Sequence, residues 1–179
     1  MKQFVFFFLG LIVFQSGQSQ YWQQAADYTM EVALDHESAI YRGVQKIVYT
    51  NNSPETLNKV FYHLYFNAFK PGSEMAIRQK NSADKNTRFK ISLDSLTPDQ
   101  EGFLRVSGLT QNGVLLNPVD SETILEVPLH TPIVPGESAI FELAFEGHVP
   151  DVIRRAGKNS NEGVAFSMAQ WYPKIAEYD

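Results

Sequence analysis

The feature that most restricts this chain is a hydrophobic period of two, repeated between closely spaced turn residues. Tyr28, Met30, Val32 and Leu34 alternate with Thr29, Glu31, Ala33 and Asp35, as in a strand with one buried and one wet face. Residues 38–50 continue more loosely, with Val44 and Val48 on one face and Ile47 and Tyr49 on the other, until Asn51-Asn52-Ser53-Pro54 breaks the run. Phe89, Ile91 and Leu93 resume the alternation, then Leu104 and Val106, then residues 123–129 and 139–148. In the last of these, Phe141, Leu143 and Phe145 point inward against Glu142, Ala144 and Glu146. Pro98-Asp99, Asn112-Gly113 and Pro135-Gly136 are the intervening turns. Asn112 and Gly113 both tolerate positive φ, which predicts a type I′ hairpin. Pro128 sits inside its run, so that strand lies at an edge or a bulge. Two stretches differ. Residues 57–69 are apolar on both faces, Val60, Tyr62, Leu64 and Phe66 opposing Phe61, His63 and Tyr65, which predicts a strand covered on both sides. Residues 70–88 are polar and turn-rich, a long loop with a short helical turn near 74–80. About eight to nine strands and no long helix predict an all-β fold, an antiparallel saddle-like sheet or β-sandwich.

The beginning follows another pattern. Met1-Lys2 is a short positive start, Phe4 to Phe14 is apolar apart from Gly10, and Gly17 and Ser19 supply the small residues of a cleavage site. The apolar run is about half of the roughly 20 residues a membrane span needs. Residues 1–19 therefore read as a secretory signal cleaved before Gln20, residues 20–150 as one β-domain, and 151–179 as a junction. The expected location is periplasmic or extracellular. With no Cys, neither a disulfide framework nor a lipid-bearing Cys is available. A domain of this size buries about 70% of its unfolded surface and needs no staples. The net charge is −5 and Arg154-Arg155 is the one adjacent basic pair. Nucleic acid and anionic lipid are thus poor partners, and no later stretch is apolar enough to span a membrane.

The residues that carry chemistry do not assemble into a complete catalytic site. His36, His63, His130 and His148 never fall four apart on a helix, and His36-Glu37 fails as a His-Glu-x-x-His start because Ile40 takes the fifth place. His63 reads as a packed, hydrogen-bonded histidine; His130 and His148 read as solvated strand ends. Ser107 and Ser138 lack a partner base, and no Gly-x-Ser-x-Gly occurs. Asp120 with Glu122, and Glu142 with Glu146, are simplest as wet strand faces. Gly108 and Gly113 form no phosphate loop. Tyr21, Trp22 and Tyr41 are candidate sugar-stacking rings, with ordinary packing the plainer reading. After Pro150 the chain is polar to Gly163, then apolar from Val164 to Met168, and Gln170-Trp171-Tyr172-Pro173 follows. With so little sequence beyond them, Trp171 and Tyr172 are expected to pack on polypeptide past Asp179.

Three segments carry a resemblance. Phe61-Tyr62-His63-Leu64-Tyr65-Phe66-Asn67-Ala68-Phe69, then Ile133-Val134-Pro135-Gly136-Glu137 with the strand after it, then Phe166-Ser167-Met168-Ala169-Gln170-Trp171-Tyr172-Pro173-Lys174 resemble, in order, exported bacterial members of the aminopeptidase N family. The resemblance implies zinc metallopeptidases that remove N-terminal residues from peptides. Their zinc motif, His-Glu-x-x-His with a distant Glu, and their Gly-x-Met-Glu-Asn loop belong to a thermolysin-like catalytic domain. Neither occurs here, and Gly163-Val164-Ala165-Phe166 does not match the second. What is resembled is the saddle-shaped N-terminal β-domain. The resemblance then implies no cofactor in this chain, zinc in a catalytic domain that continues it, and that domain and a peptide substrate as partners. Gln170 stands where the family lines the pocket for the substrate's first residue; the plainer reading is a hydrogen bond to backbone at the junction. The alternative function is a self-contained cell-surface β-sandwich that binds carbohydrate or protein.

Overall fold

The computed structural model describes residues 22–81, 91–151, 156–160 and 163–178; the expected signal segment, Tyr21 and Phe89 lie outside them. In chain order the elements are β1 (Ala25–Asp35), β2 (Ile40–Thr50), β3 (Leu57–His63), a 3-10 turn (Tyr65–Ala68), α1 (Glu74–Asn81) and a second 3-10 turn (Leu93–Ser95). There follow β4 (Phe103–Gln111), β5 (Val114–Leu115), β6 (Val119–Ser121), β7 (Ile124–Ile133), β8 (Ser138–His148), β9 (Gly157–Lys158), β10 (Phe166–Ser167) and β11 (Lys174–Ile175). The strands form a five-stranded sheet ordered β1-β2-β8-β4-β5, a four-stranded sheet ordered β11-β3-β7-β6, and the small β9–β10 pair. All named pairings are antiparallel. The all-β expectation holds, with short strands beyond Pro150 added to the count.

The two larger sheets share one core because alternation puts their apolar residues on facing sides. Tyr41, Ile47 and Tyr49 of β2, Phe141, Leu143 and Phe145 of β8, and Val60 and Tyr62 of β3 belong to a single buried cluster. Tyr62 meets Phe141 across the sheets, ring centroids 6.5 Å apart. The Asn112-Gly113 hairpin forms with φ of 50° and 82°, the left-handed values a type I′ turn needs. Pro128 falls where the β3–β7 register slips between Leu57 and Lys59, so the bulge absorbs the missing N–H.

Two predicted strands give way to side-chain bonds from distant residues. Past His63 the apolar run coils, because Asn67 donates to the Glu122 carbonyl at 2.7 Å and accepts the Leu104 amide at 2.8 Å. That leaves Val60 and Tyr62 buried but Phe61 and His63 only half-covered, so β3 is not covered on both sides. At Leu93, Gln79 of α1 takes the strand partner's place: it accepts the Leu93 amide at 2.8 Å and donates to the Ile91 carbonyl at 3.0 Å. Leu93 then buries against Ala76 and Leu96 in a 3-10 turn. His148 is also unlike its expectation. It is buried, with Nδ1 at 2.6 Å from the Glu101 carbonyl, Nε2 at 3.2 Å from Lys158 Nζ, and its ring stacked on Phe103. A carbonyl only accepts and an ammonium only donates, so this pairing is met by neutral imidazole with its proton on Nδ1.

Trp171 and Tyr172 find cover within this chain, although both stay partly exposed. Residues 171–175 lie as an extended strap along the inner face of the large sheet. Tyr41 donates to the Trp171 carbonyl at 2.5 Å, Gln45 donates to the Pro173 carbonyl at 3.0 Å, and the Tyr28 hydroxyl accepts the Ile175 amide at 3.0 Å. Trp171 packs on Tyr41 and Phe145, with centroids at 5.7 and 6.2 Å, and Tyr172 packs on Tyr28 at 5.6 Å. The nest under Trp171 depends on two glycines. A Cβ on Gly147 would stand 2.1 Å from the Tyr41 ring, and one on Gly43 would stand 2.6 Å from the Phe145 ring. Each ring lies over the glycine of the neighbouring strand, Tyr41 over Gly147 and Phe145 over Gly43.

Candidate functional site

The strap fixes what precedes it. Gln170 is the residue before the Trp171 anchor, and Ala169 and Met168 on its other side pack against the core. Held between these, Gln170 adopts φ of 59°, a left-handed conformation uncommon for a residue with a side chain. Its side chain is exposed and makes no hydrogen bond among the described residues, so the backbone-bonding reading finds no partner there.

Gln170 stands at the rim of a recess of about 400 Å³, whose lining includes Tyr65, Phe69, Met75, Thr123 and Ala156. Each wall comes from a different element and each is tied down. Tyr65 opens and Phe69 closes the 3-10 turn that Asn67 holds; Tyr65 stacks on His63 at 4.9 Å and Phe69 leans on Phe66 at 6.2 Å. Met75 rides on α1. Ser73 caps that helix, accepting the Ala76 amide at 3.1 Å and donating to the Ala68 carbonyl at 2.8 Å. The Glu122 carboxylate accepts the Glu74 amide at 3.0 Å, a negative charge at a helix start. Thr123 is held through its carbonyl, which accepts the Leu64 amide at 2.8 Å. The result is a firm apolar hollow with one free amide at its lip.

The other candidates fall elsewhere. Asp120 and Glu122 do structural work: Asp120 accepts the Glu122 amide at 2.9 Å, and Glu122 holds α1. Glu146 pairs with Arg42 at 2.6 Å and Arg105 at 3.9 Å on the outer face of the large sheet, while Glu142 is exposed there. His63 is half-buried beside Tyr65, and burial, helped by nearby Lys174, lowers its pKa; its ring makes no hydrogen bond among the described residues. His130 is exposed. Of the proposed sugar-stacking rings, Tyr41 is fully buried and Trp22 stacks on Tyr178 at 5.7 Å. Among the described rings, then, Tyr41 is not available to stack on a sugar. Among the described residues no group of three or more His, Asp or Glu is placed to hold a metal ion, and no helix is long and apolar enough to cross a membrane.

The sequence reading reaches Gln170 but not Tyr65, Phe69 or Met75. The available signal was Asn67, a lone amide inside an aromatic run, which must find partners and so bends the chain.

No family model and no curated protein matches this chain. Among solved structures it is similar to a point mutant of a two-domain M1 zinc metallopeptidase bound to L-arginine, at 16% identity and a TM-score of 0.50, covering 84% of this chain and 27% of that one. It is also similar to the M1 zinc metallopeptidase from Deinococcus radiodurans, at 16% identity and a TM-score of 0.49, covering 83% of this chain and 26% of that one. The chain therefore spans about a quarter of the length of the structures it matches. Its fold is one found within M1 zinc metallopeptidases, the aminopeptidase N family.

Proposed function

We propose that this chain is the non-catalytic N-terminal β-domain of a larger, exported, zinc-dependent aminopeptidase of the M1 type, and that the recess beside Gln170 forms part of the wall of its substrate cleft. Residues 1–19 serve as the export signal, and residues 151–179 lead toward the catalytic domain. The observation that carries the reading is Gln170: an exposed, unpartnered amide in a left-handed conformation at the lip of an apolar hollow. A carboxamide oxygen accepts hydrogen bonds, and a peptide's free α-ammonium donates them. Tyr65, Phe69 and Met75 offer the apolar surface that a first side chain would occupy. This chain's part is to bind and orient the amino end of a peptide. The metal, held by the catalytic domain, supplies the activated water.

Two measurements test this. The chain alone is expected to retain no zinc after dialysis and to cleave no aminoacyl reporter. The protein read through from the same gene is expected to do both. In that longer protein Gln170→Ala should raise KM about tenfold, the worth of one hydrogen bond to a charged group, with a smaller change in kcat. A continuation without a zinc motif, or an unchanged KM, overturns the reading.

A further inference from the structure

We propose that the free edge of β1 is a docking strand for an extended, basic segment of another polypeptide, which adds to the large sheet beside it. β1 is the terminal strand of the five-stranded sheet. It pairs with β2 from Ala25 to Asp35 without a register break. Its opposite edge has no strand partner among the described residues. Chains usually blunt such an edge with proline, lysine, a bulge or a short strand. β1 has no proline, lysine or bulge and is eleven residues long; its one device is charge, the acids Asp27, Glu31 and Asp35 in Ala-Ala-Asp-Tyr-Thr-Met-Glu-Val-Ala-Leu-Asp. From Glu31 to Asp35 every residue is exposed, including Val32 at 42% and Leu34 at 41%. This half of the strand is open on both faces as well as along its edge.

Charge identifies the occupant. Asp27, Glu31 and Asp35 share the outer face of β1 and are all exposed. No ion pair reaches any of them among the described residues; Asp35 bonds only locally, to the Glu37 amide and to Ser38. Arg42 and Lys46 of β2 face the same side, but neither lies within ion-pair distance of any of them, and Arg42 pairs with Glu146 instead. A second copy of this chain fits only in some registers. Antiparallel pairing about Glu31 would set Glu31 against Glu31 and Asp27 against Asp35, and parallel pairing in register would set each acid against itself, whereas pairing about Met30 or Val32 sets the paired acids opposite Thr or Ala and gains no opposite charge. Like charges directly opposite are destabilising. The acids thus favour a strand with Lys or Arg on that face, which alone meets each of them with opposite charge. On the other face, apolar residues of such a strand would meet Met30, Val32 and Leu34. Backbone bonds would supply affinity and the alternating side chains specificity. The proposal draws nothing from the recess at Gln170.

The test is fluorescence anisotropy of a capped, labelled peptide, Thr-Lys-Val-Lys-Val-Arg-Val-Lys-Thr, titrated with this chain. Saturable binding is expected. Glu31→Lys, a change at an exposed position whose fold is checked by circular dichroism, should weaken it about tenfold. A peptide with Glu in place of each Lys and Arg should not bind, nor should one with alternate backbone amides methylated. Four results overturn the proposal: no binding; equal binding to the Glu31→Lys chain; equal binding of either control peptide; or a dimer in sedimentation equilibrium that Glu31→Lys abolishes, which would make a second copy the occupant.

Discussion

Leu34 and Tyr41 are direct cross-strand neighbours on one face of the same sheet, yet Tyr41 is 0% exposed and Leu34 is 41% exposed. Val32 likewise faces Gly43, whose side-chain space is filled by the Phe145 ring, and is itself 42% exposed. Cover stops within one strand spacing. The strap explains where: Tyr41, Gln45 and Tyr28 hold residues 171–175, and the strap shelters what lies beneath it. Alternation decides which face of a strand is apolar. It does not decide how far the opposing layer extends, and that reach separates the packed half of this face from the open half.

The contrast breaks most completely at alkaline pH, because the covered half carries the buried phenols. Burial pushes the Tyr28 pKa up to about 12, partly offset by the Ile175 amide that bonds its oxygen, and burial pushes Tyr49 to about 12 as well. Tyr41 and Tyr62 are raised further by the same cause. In the unfolded chain each phenol ionises near pH 10. Between there and about 12 the unfolded chain releases protons that the folded one keeps. Stability is therefore intact below pH 10 and falls as pH rises through that window. Cooperative unfolding is expected, with phenolate absorbance of these tyrosines appearing only as near-ultraviolet circular dichroism is lost. Tyr49→Phe should soften the loss while retaining the fold, since the Tyr49 hydroxyl has no partner among the described residues. Ionisation of these four tyrosines near pH 10 with the fold intact, read as phenolate signal lost in the Tyr49→Phe chain, would mean that the covered half is wet.

A smaller but sharper break comes at Gly147. With its Cβ position 2.1 Å from the Tyr41 ring, Gly147→Ala must displace that ring and with it the bond to the Trp171 carbonyl. The expected loss is about 3 kcal/mol, the upper range for overpacking, read from the urea midpoint, with Trp171 fluorescence shifting to the red. A loss below about 1 kcal/mol would show that the ring moves aside freely and that the nest is loose.

The same contrast explains what was legible in the sequence. The β8 alternation, the Asn112-Gly113 hairpin and the Pro128 bulge are local, set by residues within a few positions of each other, and all can be read directly. The turn at Tyr65–Ala68 needs Asn67 to meet Glu122 and Leu104. The turn at Leu93–Ser95 needs Gln79. The packing of Trp171 needs Tyr41, far away in the chain. No window of a few residues contains both partners; even Gln79 and Leu93, the nearest of these pairs, lie 14 apart. Trp171 and Tyr172 pack on this chain and stay half-exposed, so the cleft reading rests on Gln170, its recess and the shared fold. Gln170 is reachable through the family resemblance alone. The walls around it are not, because the Tyr65 turn, α1 and the Thr123 turn meet only after the two sheets have closed.

The open half of β1 gives the smallest effect and the cleanest one. A leucine truncated in a core costs about 2–5 kcal/mol, and Leu34 has the sequence pattern of such a leucine. Its exposure says otherwise: much of its surface already lies in water, so Leu34→Ser forfeits little burial, and no tightly packed neighbours are left facing a cavity. The expected change is within about 0.5 kcal/mol, as for ordinary surface positions, read from the urea midpoint with the slope unchanged. Val32→Thr should behave the same way, since it keeps the β-branched shape that suits a strand. Were Leu34→Ser instead to cost more than about 1.5 kcal/mol, something would have to cover that end of the sheet in the free chain. The edge of β1 would then be occupied already, and the boundary drawn by the strap would lie farther out than Tyr41.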